Sequence, residues 1–294
     1  MNKVGFIGVG IMGKSMVRNL MKAGFELHIY ARTKSKVEDV ISEGAQFHES
    51  IKDCVQDCDA VITIVGFPQD VEEVYFDEGN ILDSAKEGAY LIDMTTTSPQ
   101  IAEKIYEEGT KRGFHVMDAP VTGGDTGAKA GTLSILVGGE KEDYEACMSL
   151  FEAMGTNINY QGKAGCGQHC KLANQIMIAG TLSGVCEALT YAKEQGLDPE
   201  VFMKSVATGA AGSKQLDTFG PKILKDDYAP GFFMKHFIKD MKLALIEANR
   251  KGLSLDVLSM VLANYEELEQ EGYGDLGTQA LMKFYDEEHR NMEE

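Results

Sequence analysis

The stretch VGFIGVGIMGKSMVRNL, residues 4–20, decides the fold of the first half of this chain. It holds Gly8, Gly10 and Gly13 in the spacing G-x-G-x-x-G, directly after an apolar run and directly before a helical pattern. The first glycine permits a tight turn, the second allows a pyrophosphate to approach closely, and the third lets the helix pack on the strand. Because the helix that follows presents free N–H groups to the phosphates, this stretch predicts a dinucleotide site.

Apolar, strand-like segments alternate with helical patterns over the first 160 residues. The strand-like segments lie at 3–9, 26–31, 60–65, 89–94, 115–120 and 132–139. A continuous apolar run such as AVITIV, residues 60–65, is typical of a parallel strand buried on both faces. The alternation therefore predicts an α/β, Rossmann-like domain with a doubly wound parallel sheet.

The second half of the chain has a different character. One long helix is predicted over 167–195, ending at Gly196, and helical patterns follow at 199–208, 235–251, 254–271 and 277–290, with Pro221 and Pro230 in a loop among them. The closing DEEHRNMEE is expected to be a solvated, frayed end. We therefore predict a dinucleotide-binding domain at 1–163 and an all-helical domain for substrate binding and oligomerisation at 164–294.

Composition and charge restrict the class of partner. The 294 residues carry 28 Lys and Arg against 46 Asp and Glu, a net charge of −18, which argues against nucleic acid or an anionic membrane as the main partner. No stretch is expected to approach the ~20 apolar residues of a spanning helix, and no signal peptide is expected, since residues 1–10 run directly into a strand-like segment. The six cysteines form no C-x-x-C and no cluster with histidines, so reduced thiols and no metal site are predicted. These features together predict a cytoplasmic protein.

The end of the second strand-like segment bears on the choice of dinucleotide. NAD sites place an acid there to accept from the ribose hydroxyls, whereas this chain has Ala31 followed by Arg32, Thr33, Lys34 and Lys36. Cations and donors suit a 2′-phosphate, which a carboxylate would repel. The segment therefore favours NADP over NAD, with NAD still possible.

Three later stretches carry residue types suited to chemistry. DAPVTGGDTGAKAGTLSILVGG, residues 118–139, holds Thr122, Gly123 and Gly124, where a hydroxyl beside backbone N–H groups suits a carboxylate. GKAGCGQHCKLANQ, residues 162–175, places Lys171 and Asn174 on one face of a helix. FFMKHFIKDMKLAL, residues 232–245, contains Lys239 followed by Asp240.

Taken together, these motifs resemble the β-hydroxyacid dehydrogenase family, which includes 3-hydroxyisobutyrate dehydrogenase, tartronate semialdehyde reductase and the succinic and glyoxylic semialdehyde reductases. The resemblance covers essentially the whole chain. It rests on GFIGVGIMG with NLMKAGF, on DAPVTGG, on the KLAN helix start and on the late KD pair. It implies an NAD(P)-dependent oxidoreductase that interconverts a small carboxylate-bearing hydroxy acid and its semialdehyde or oxo acid.

The resemblance also implies roles for individual residues. Lys171 would be the general acid and base, with Asn174 orienting it or the substrate, and Thr122, Gly123 and Gly124 would hold the substrate carboxylate. The residues implied to contact the cofactor are Gly8, Gly10, Ile11, Met12, Gly13, Arg32, Thr33, Lys36, Val65, Phe67, Pro68, Thr96 and Lys239. The family implies a homodimer or homotetramer.

Two departures leave the substrate open. Thr122 stands where the family usually has Ser, and Gln175 where many members have a second Asn. The KLANQ stretch resembles the tartronate semialdehyde branch, but the basic ARTKSK resembles the NADPH-using reductases. The alternatives are an imine reductase and a non-catalytic dinucleotide-binding scaffold of the same fold, and retention of Lys171 argues against both.

Overall fold

The computed structural model describes residues 1–285. The chain divides into two compact units, Met1–Lys171 and a second that begins at Leu172, and each is described here by itself. Residues 286–290 of the last predicted helix and the closing DEEHRNMEE lie outside the described residues.

The first unit is built on a nine-stranded sheet. Its strands are β1 (Lys3–Ile7), β2 (Glu26–Tyr30), β3 (Gln46–Phe47), β4 (Ala60–Thr63), β5 (Tyr90–Asp93), β6 (His115–Asp118), β7 (Val121–Thr122), β8 (Leu133–Gly139) and β9 (Gly155–Gly162). The spatial order is β3-β2-β1-β4-β5-β6-β8-β7, and β9 pairs with β8 outside that path.

The strands from β3 to β6 are all parallel, in the order of a doubly wound dinucleotide-binding sheet. The predicted Rossmann-like fold is thus confirmed. The far edge differs from a purely parallel sheet, because β8 runs antiparallel to β6 and β7 and parallel to β9. The chain order reverses between β1 and β4, and ligands of such sheets bind outside the carboxyl ends of the strands at that point.

The helices are α1 (Ile11–Lys22), α2 (Glu38–Ser42), α3 (Ile51–Val55), α4 (Pro68–Phe76), α5 (Ile81–Ser84), α6 (Pro99–Lys111), α7 (Gly124–Ala130), α8 (Lys141–Ala146), α9 (Met148–Met154), α10 (Cys166–Glu194), α11 (Pro199–Val206), α12 (Lys214–Ile223), α13 (Met234–Arg250) and α14 (Asp256–Gln270). Short 3₁₀ helices lie at Lys34–Lys36, Tyr273–Asp275 and Thr278–Tyr285. The predicted helix at 277–290 is therefore a 3₁₀ segment where the structure describes it.

The sheet buries both of its faces, as its continuous apolar runs predict. Ile62 and Ile92 point into a core shared with α1, whereas Val61 and Leu91, one residue earlier on the same strands, point into a second core on the opposite face. Successive side chains of a strand point to opposite faces, so helices cover the sheet on both sides.

The second unit has its own core, formed by one face of α10 with α12, α13 and α14. On α10 this face repeats through Ala179, Leu182, Cys186 and Leu189, the spacing of neighbours on a helix surface. Phe237 of α13 meets Tyr265 of α14 edge to face, with ring centroids 5.4 Å apart.

Pro221 corrects one expectation, because it lies inside α12 rather than in a loop. The apolar face of α12, with Leu216 and Ile223 buried, packs in the helical core and outweighs the missing proline N–H. Gly220 lets this helix approach its neighbour, since a Cβ there would lie 2.5 Å from the sulfur of Met203. In the sequence, neither Pro221 nor Gly220 is a residue that indicates the interior of a helix.

The expectation that no segment is long and apolar enough to span a membrane is also wrong by length and composition. Among residues 1–285, α10 meets both criteria, with 29 residues and a window of mean hydropathy 1.2. Core helices of soluble proteins meet the same criteria, and 44% of that window is buried within the protein. The finding is weak evidence for a membrane span.

Candidate functional site

The turn after β1 has the geometry that its glycines predict. Gly8 has φ +96°, and a side chain there would collide with the carbonyl oxygen of Ile64, just after β4. A side chain at Gly13 would collide with the carbonyl oxygen of Gly8. Around Gly10, in contrast, a Cβ would meet nothing within 4 Å, and α1 begins there without a side-chain cap. The uncapped helix start and the space beside it fit the pyrophosphate of a dinucleotide.

Two further predicted cofactor residues follow this turn. Ile11 opens α1 with 54% of its surface exposed, and Met12 is half-buried against the sheet core. An exposed isoleucine at the start of α1 offers apolar contact to a ligand.

The basic segment after β2 forms ion pairs with distant acids. The guanidinium of Arg32 pairs with the carboxylate of Asp70, although 64% of the Arg32 side chain remains exposed. The Lys34 ammonium lies 3.3 Å from Glu49 and 4.8 Å from the centroid of the Phe47 ring. Thr33 and Lys36 are exposed. The positive charge is thus present as predicted, but acids of the same unit partly balance it.

The loop between β4 and α4 carries Val65 and Phe67, and Pro68 is the first residue of α4. The Val65 N–H donates to the hydroxyl of Thr95, at 3.0 Å. Phe67 is 37% exposed, and its N–H donates to the carboxylate of Asp70 in the first turn of α4. The same carboxylate therefore caps the start of α4 and pairs with Arg32. Cofactor-loop geometry and the position of Arg32 therefore depend on one side chain.

The segment after β5 contains Thr96, which is half-buried between the buried Thr95 and Thr97. The N–H of Thr95 donates to the carboxylate of Asp93, at 3.1 Å, and so does the hydroxyl of Thr63, at 2.8 Å. Complete burial raises the pKa of Asp93 to about 6, against the lowering effect of these donors. This segment is held by a buried polar network.

The loop after β7 carries the predicted carboxylate site. Thr122 ends β7 and is half-buried, and Gly123 and Gly124 have φ values of +132° and +64°. Positive φ at both positions favours glycine. The helix α7 begins at Gly124 with no side-chain cap, so its first N–H groups lie beside the Thr122 hydroxyl in sequence.

The start of α10 is held by Asp118 at the end of β6. One carboxylate oxygen accepts from the N–H of Gly165 and the other from the N–H of Gln168, both at 2.8 Å. Burial raises the pKa of Asp118, although the two donors favour its charged form. Gly138 lets β8 approach the start of α10 closely, because a Cβ there would lie 2.8 Å from the backbone nitrogen of Gly167.

Lys171 lies on α10 three residues after Gln168 and is 7% exposed. Lysine is almost never this buried in globular proteins unless its charge has a partner. The structure therefore places the predicted acid–base residue in the same unit as the glycine turn and the Thr122 loop.

The other two predicted polar residues belong to the helical unit and are linked there. The Asn174 amide donates to the side-chain oxygen of Gln175, at 2.8 Å, and the Gln175 amide donates to Asp240, at 2.7 Å. The Lys239 ammonium lies 3.0 Å from the other oxygen of Asp240. Gln175 and Asp240 are buried, so the network connects Asn174 to Lys239 through the interior of the unit.

The sequence did not single out Asp118 or Gln168 and gave Gln175 no linking role. The signal for Gln168 was its i, i+3 spacing from Lys171, which puts the two side chains on one helix face. Nothing local signals Asp118, because its partners are more than forty residues away in the chain.

Both halves of the chain match known families. Residues 3–162 match the family model described as the NAD binding domain of 6-phosphogluconate dehydrogenase. Residues 165–285 match the one described as NAD-binding of NADP-dependent 3-hydroxyisobutyrate dehydrogenase.

Similar proteins extend over nearly the whole chain. A Bacillus subtilis protein named uncharacterized oxidoreductase YkwC is 49% identical, over 96% of this chain and 98% of its own length. An Arabidopsis thaliana protein named probable 3-hydroxyisobutyrate dehydrogenase-like 1, mitochondrial, is 44% identical, over 95% and 84%. The structure of Mycobacterium tuberculosis 3-hydroxyisobutyrate dehydrogenase with L-serine has a TM-score of 0.88 at 26% identity, covering 96% of this chain and 98% of that one.

Proposed function

This chain belongs to the β-hydroxyacid dehydrogenase family of NAD(P)-dependent enzymes. We propose that it interconverts a small 3-hydroxy acid, or another small carboxylate-bearing hydroxy acid, and its semialdehyde or oxo acid, with NADP preferred and Lys171 as general acid and base. The observation that carries the proposal is the burial of Lys171, 7% exposed, on a helix start anchored to the sheet by Asp118.

The residues around the glycine turn fit a nicotinamide dinucleotide. When bound, that cofactor supplies the hydride that reduces the carbonyl carbon. The uncapped start of α1 and the open space at Gly10 would hold its pyrophosphate. The loop with Val65, Phe67 and Pro68, together with Thr96, would line the same cofactor.

Lys171 is the proposed donor and acceptor of the proton. In the reductive direction its ammonium donates a proton to the carbonyl oxygen, so that negative charge does not accumulate there, and the amine is then reprotonated from solvent. In the reverse direction the neutral amine takes the proton of the hydroxyl group. Asn174, held by Gln175, would orient the lysine or the substrate.

The Thr122 loop would bind the substrate carboxylate. The Thr122 hydroxyl and the backbone N–H groups at the two positive-φ glycines would supply donors suited to an anion. Because the whole chain carries −18, such local donors are needed to hold an anionic substrate. The added methyl group of Thr122, compared with serine, narrows the space for that substrate.

The preference for NADP rests on Arg32. Its side chain is 64% exposed, and an exposed ion pair such as that with Asp70 contributes about 0–1 kcal/mol. A 2′-phosphate carries more charge than a carboxylate and accepts bidentate hydrogen bonds, so it can compete for the guanidinium. The 2′-hydroxyl of NAD offers no such interaction.

The test is a panel of glyoxylate, succinic semialdehyde, tartronate semialdehyde and methylmalonate semialdehyde, each assayed with NADPH and NADH. We expect at least one to be reduced, with the higher kcat/KM for NADPH. A wide margin in favour of NADH would overturn the assignment of Arg32, and no turnover of any carboxylate-bearing aldehyde would overturn the substrate class. Cytoplasmic location and a homodimer or homotetramer stay predictions.

A further inference from the structure

The side chain of Gln168 is a two-point clamp on the segment that contains Thr96. Its amide nitrogen donates to the carbonyl oxygen of Thr95, at 2.7 Å, and its amide oxygen accepts from the N–H of Thr97, at 3.0 Å. Gln168 has no exposed surface. The two contacts lie on either side of Thr96, so the clamp fixes the backbone that presents this residue.

The clamped segment is in turn connected to the next cofactor loop. The hydroxyl of Thr95 accepts from the N–H of Val65, at 3.0 Å, and the N–H of Thr95 donates to Asp93. Val65 begins the loop that continues through Phe67 to α4. Gln168 is therefore linked through Thr95 to two of the segments predicted to bind the cofactor, the Thr96 segment and the loop that begins at Val65.

The backbone of Gln168 is itself fixed. Its N–H donates to Asp118, which also accepts from Gly165, so the first turn of α10 is tied to the end of β6. Lys171 lies three residues further along the same helix, on the same face as Gln168. A displacement of the clamp would therefore move the Thr96 segment relative to the turn that carries Lys171.

We propose that Gln168 is a positioning residue, which sets the Thr96 segment, and through Thr95 the Val65 loop, in register with the helical turn of Lys171. The inference rests on the proposed function, because it assumes that Lys171 and Thr96 act on substrate and cofactor. It goes further in assigning the alignment of these two elements to one buried amide.

Glutamine suits this role because the clamp needs one donor and one acceptor at the same distance from the helix. A carboxylate at this position would face the carbonyl oxygen of Thr95 without a proton to donate. Asparagine is one methylene shorter. Methionine has the same length but leaves a buried N–H and a buried C=O without partners.

The helical unit offers a matched control in Gln279. It is also fully buried, and its amide donates to the carbonyl oxygens of Asp227 and Ala229, at 3.0 and 3.1 Å. Gln279→Met therefore removes two hydrogen bonds between a buried side-chain amide and the backbone, as Gln168→Met does, but at residues with no predicted role in binding or catalysis.

The experiment compares Gln168→Met and Gln279→Met by thermal melting, NADPH titration and kinetics well below the melting temperature. A positioning role predicts that Gln168→Met lowers kcat, expressed per NADPH-binding site, about 10–100-fold. It also predicts weaker NADPH binding and a larger kinetic isotope effect with NADPH deuterated at the transferred position. Gln279→Met should lower the melting temperature by a similar amount and leave kcat, KM and the isotope effect within about twofold.

The proposal is overturned if the two variants have the same kcat and NADPH affinity within about twofold. If Gln168→Met does not fold, Gln168→Asn, which keeps a polar amide, is measured against the same control and the same threshold. Turnover that survives Lys171→Ala would contradict the proposed function instead, and the NADPH affinities of the Gln168 and Gln279 variants would still decide the role of Gln168.

Discussion

The turn after β1 and the segment after β2 both serve the predicted cofactor site, but different forces determine them. At the turn, backbone sterics allow only glycine, because side chains at Gly8 and Gly13 would collide with carbonyl oxygens. After β2, the position of Arg32 depends on an exposed ion pair with Asp70, 38 residues away in the chain. The predicted pyrophosphate end of the site is therefore formed by the backbone, whereas the proposed cofactor preference and catalysis rest on individual side chains.

Lys171→Ala tests the proposed dependence of catalysis on a single side chain and has the largest expected effect. Loss of the general acid should lower kcat about 10²–10⁴-fold while NADPH still binds, because the glycine turn is unchanged. Steady-state kinetics and NADPH titration measure the two quantities. Lys111→Ala, which removes an exposed lysine paired with Glu108, is the control and should behave as wild type. Near-wild-type turnover of Lys171→Ala would contradict the mechanism.

Gly13→Ala and Gly10→Ala test the part of the predicted cofactor site that the backbone forms, the glycine turn after β1. The methyl group at residue 13 would collide with the Gly8 carbonyl, so we expect a loss of about 3 kcal/mol or more in unfolding free energy. The methyl group at residue 10 meets no protein atom within 4 Å, so that variant should fold normally but bind NADPH at least about tenfold more weakly. Urea unfolding and NADPH titration separate the two effects. Equal NADPH affinity for Gly10→Ala and wild type would contradict the placement of the pyrophosphate at this turn.

Asp93→Asn tests the buried network below the Thr96 segment. The pKa of Asp93 is about 6 in the folded protein, above the usual value of 3.8, so the folded state binds this proton more tightly than the unfolded state. Asp93 therefore stabilises the fold most at low pH, and about 2–3 kcal/mol of that contribution is lost as the pH rises from about 4 to above 6.

Asparagine cannot titrate, so the difference in unfolding free energy between wild type and Asp93→Asn should change with pH across this window. Asp118, on the neighbouring strand, has a raised pKa of the same sign and is present in both proteins. Urea unfolding from pH 4.5 to 8 measures the difference. A difference that is constant with pH would contradict the raised pKa of Asp93.

Arg32→Ala has the smallest expected effect and examines cofactor choice. Removal of a charge-assisted hydrogen bond to the 2′-phosphate should raise the KM for NADPH about tenfold and leave the KM for NADH unchanged. Arg112→Ala removes a similarly exposed arginine, paired with Asp83, and should change neither value. If Arg32→Ala raises the KM for NADPH and the KM for NADH equally, Arg32 does not bind the 2′-phosphate.

Much of the fold was predictable because its signals are local. The apolar runs predicted the strands from β1 to β6 other than β3, and the long apolar pattern predicted α10 to within one residue at each end. The strand β9, with sequence GTNINYQG, was missed because it is polar and largely exposed, and its pairing with β8 supplies its order. The helix α12 was missed because Pro221 and Gly220 conceal its apolar face.

For the candidate site, the residues proposed to contact ligand were easier to predict from the sequence than those that hold the backbone around them. Lys171, Thr122 and the glycines lie in short motifs, whereas the carboxylate of Asp118 and the amide of Gln168 act on backbone groups that are distant in the chain. A hydrogen bond between distant residues leaves no periodicity and no spacing in a single sequence. Such residues become visible only when the strands are in register.

The sequence by itself determined the alternating strands and helices, the helical second half and the glycine turn, because hydrophobic periodicity and the steric limits on φ act over a few residues. Only the tertiary structure decided that Asp70 pairs with Arg32, that Asp118 holds the start of α10 and that Gln168 clamps the Thr96 segment. These contacts arise where the carboxyl ends of neighbouring strands meet, and that meeting depends on the packing of the whole sheet rather than on any one segment.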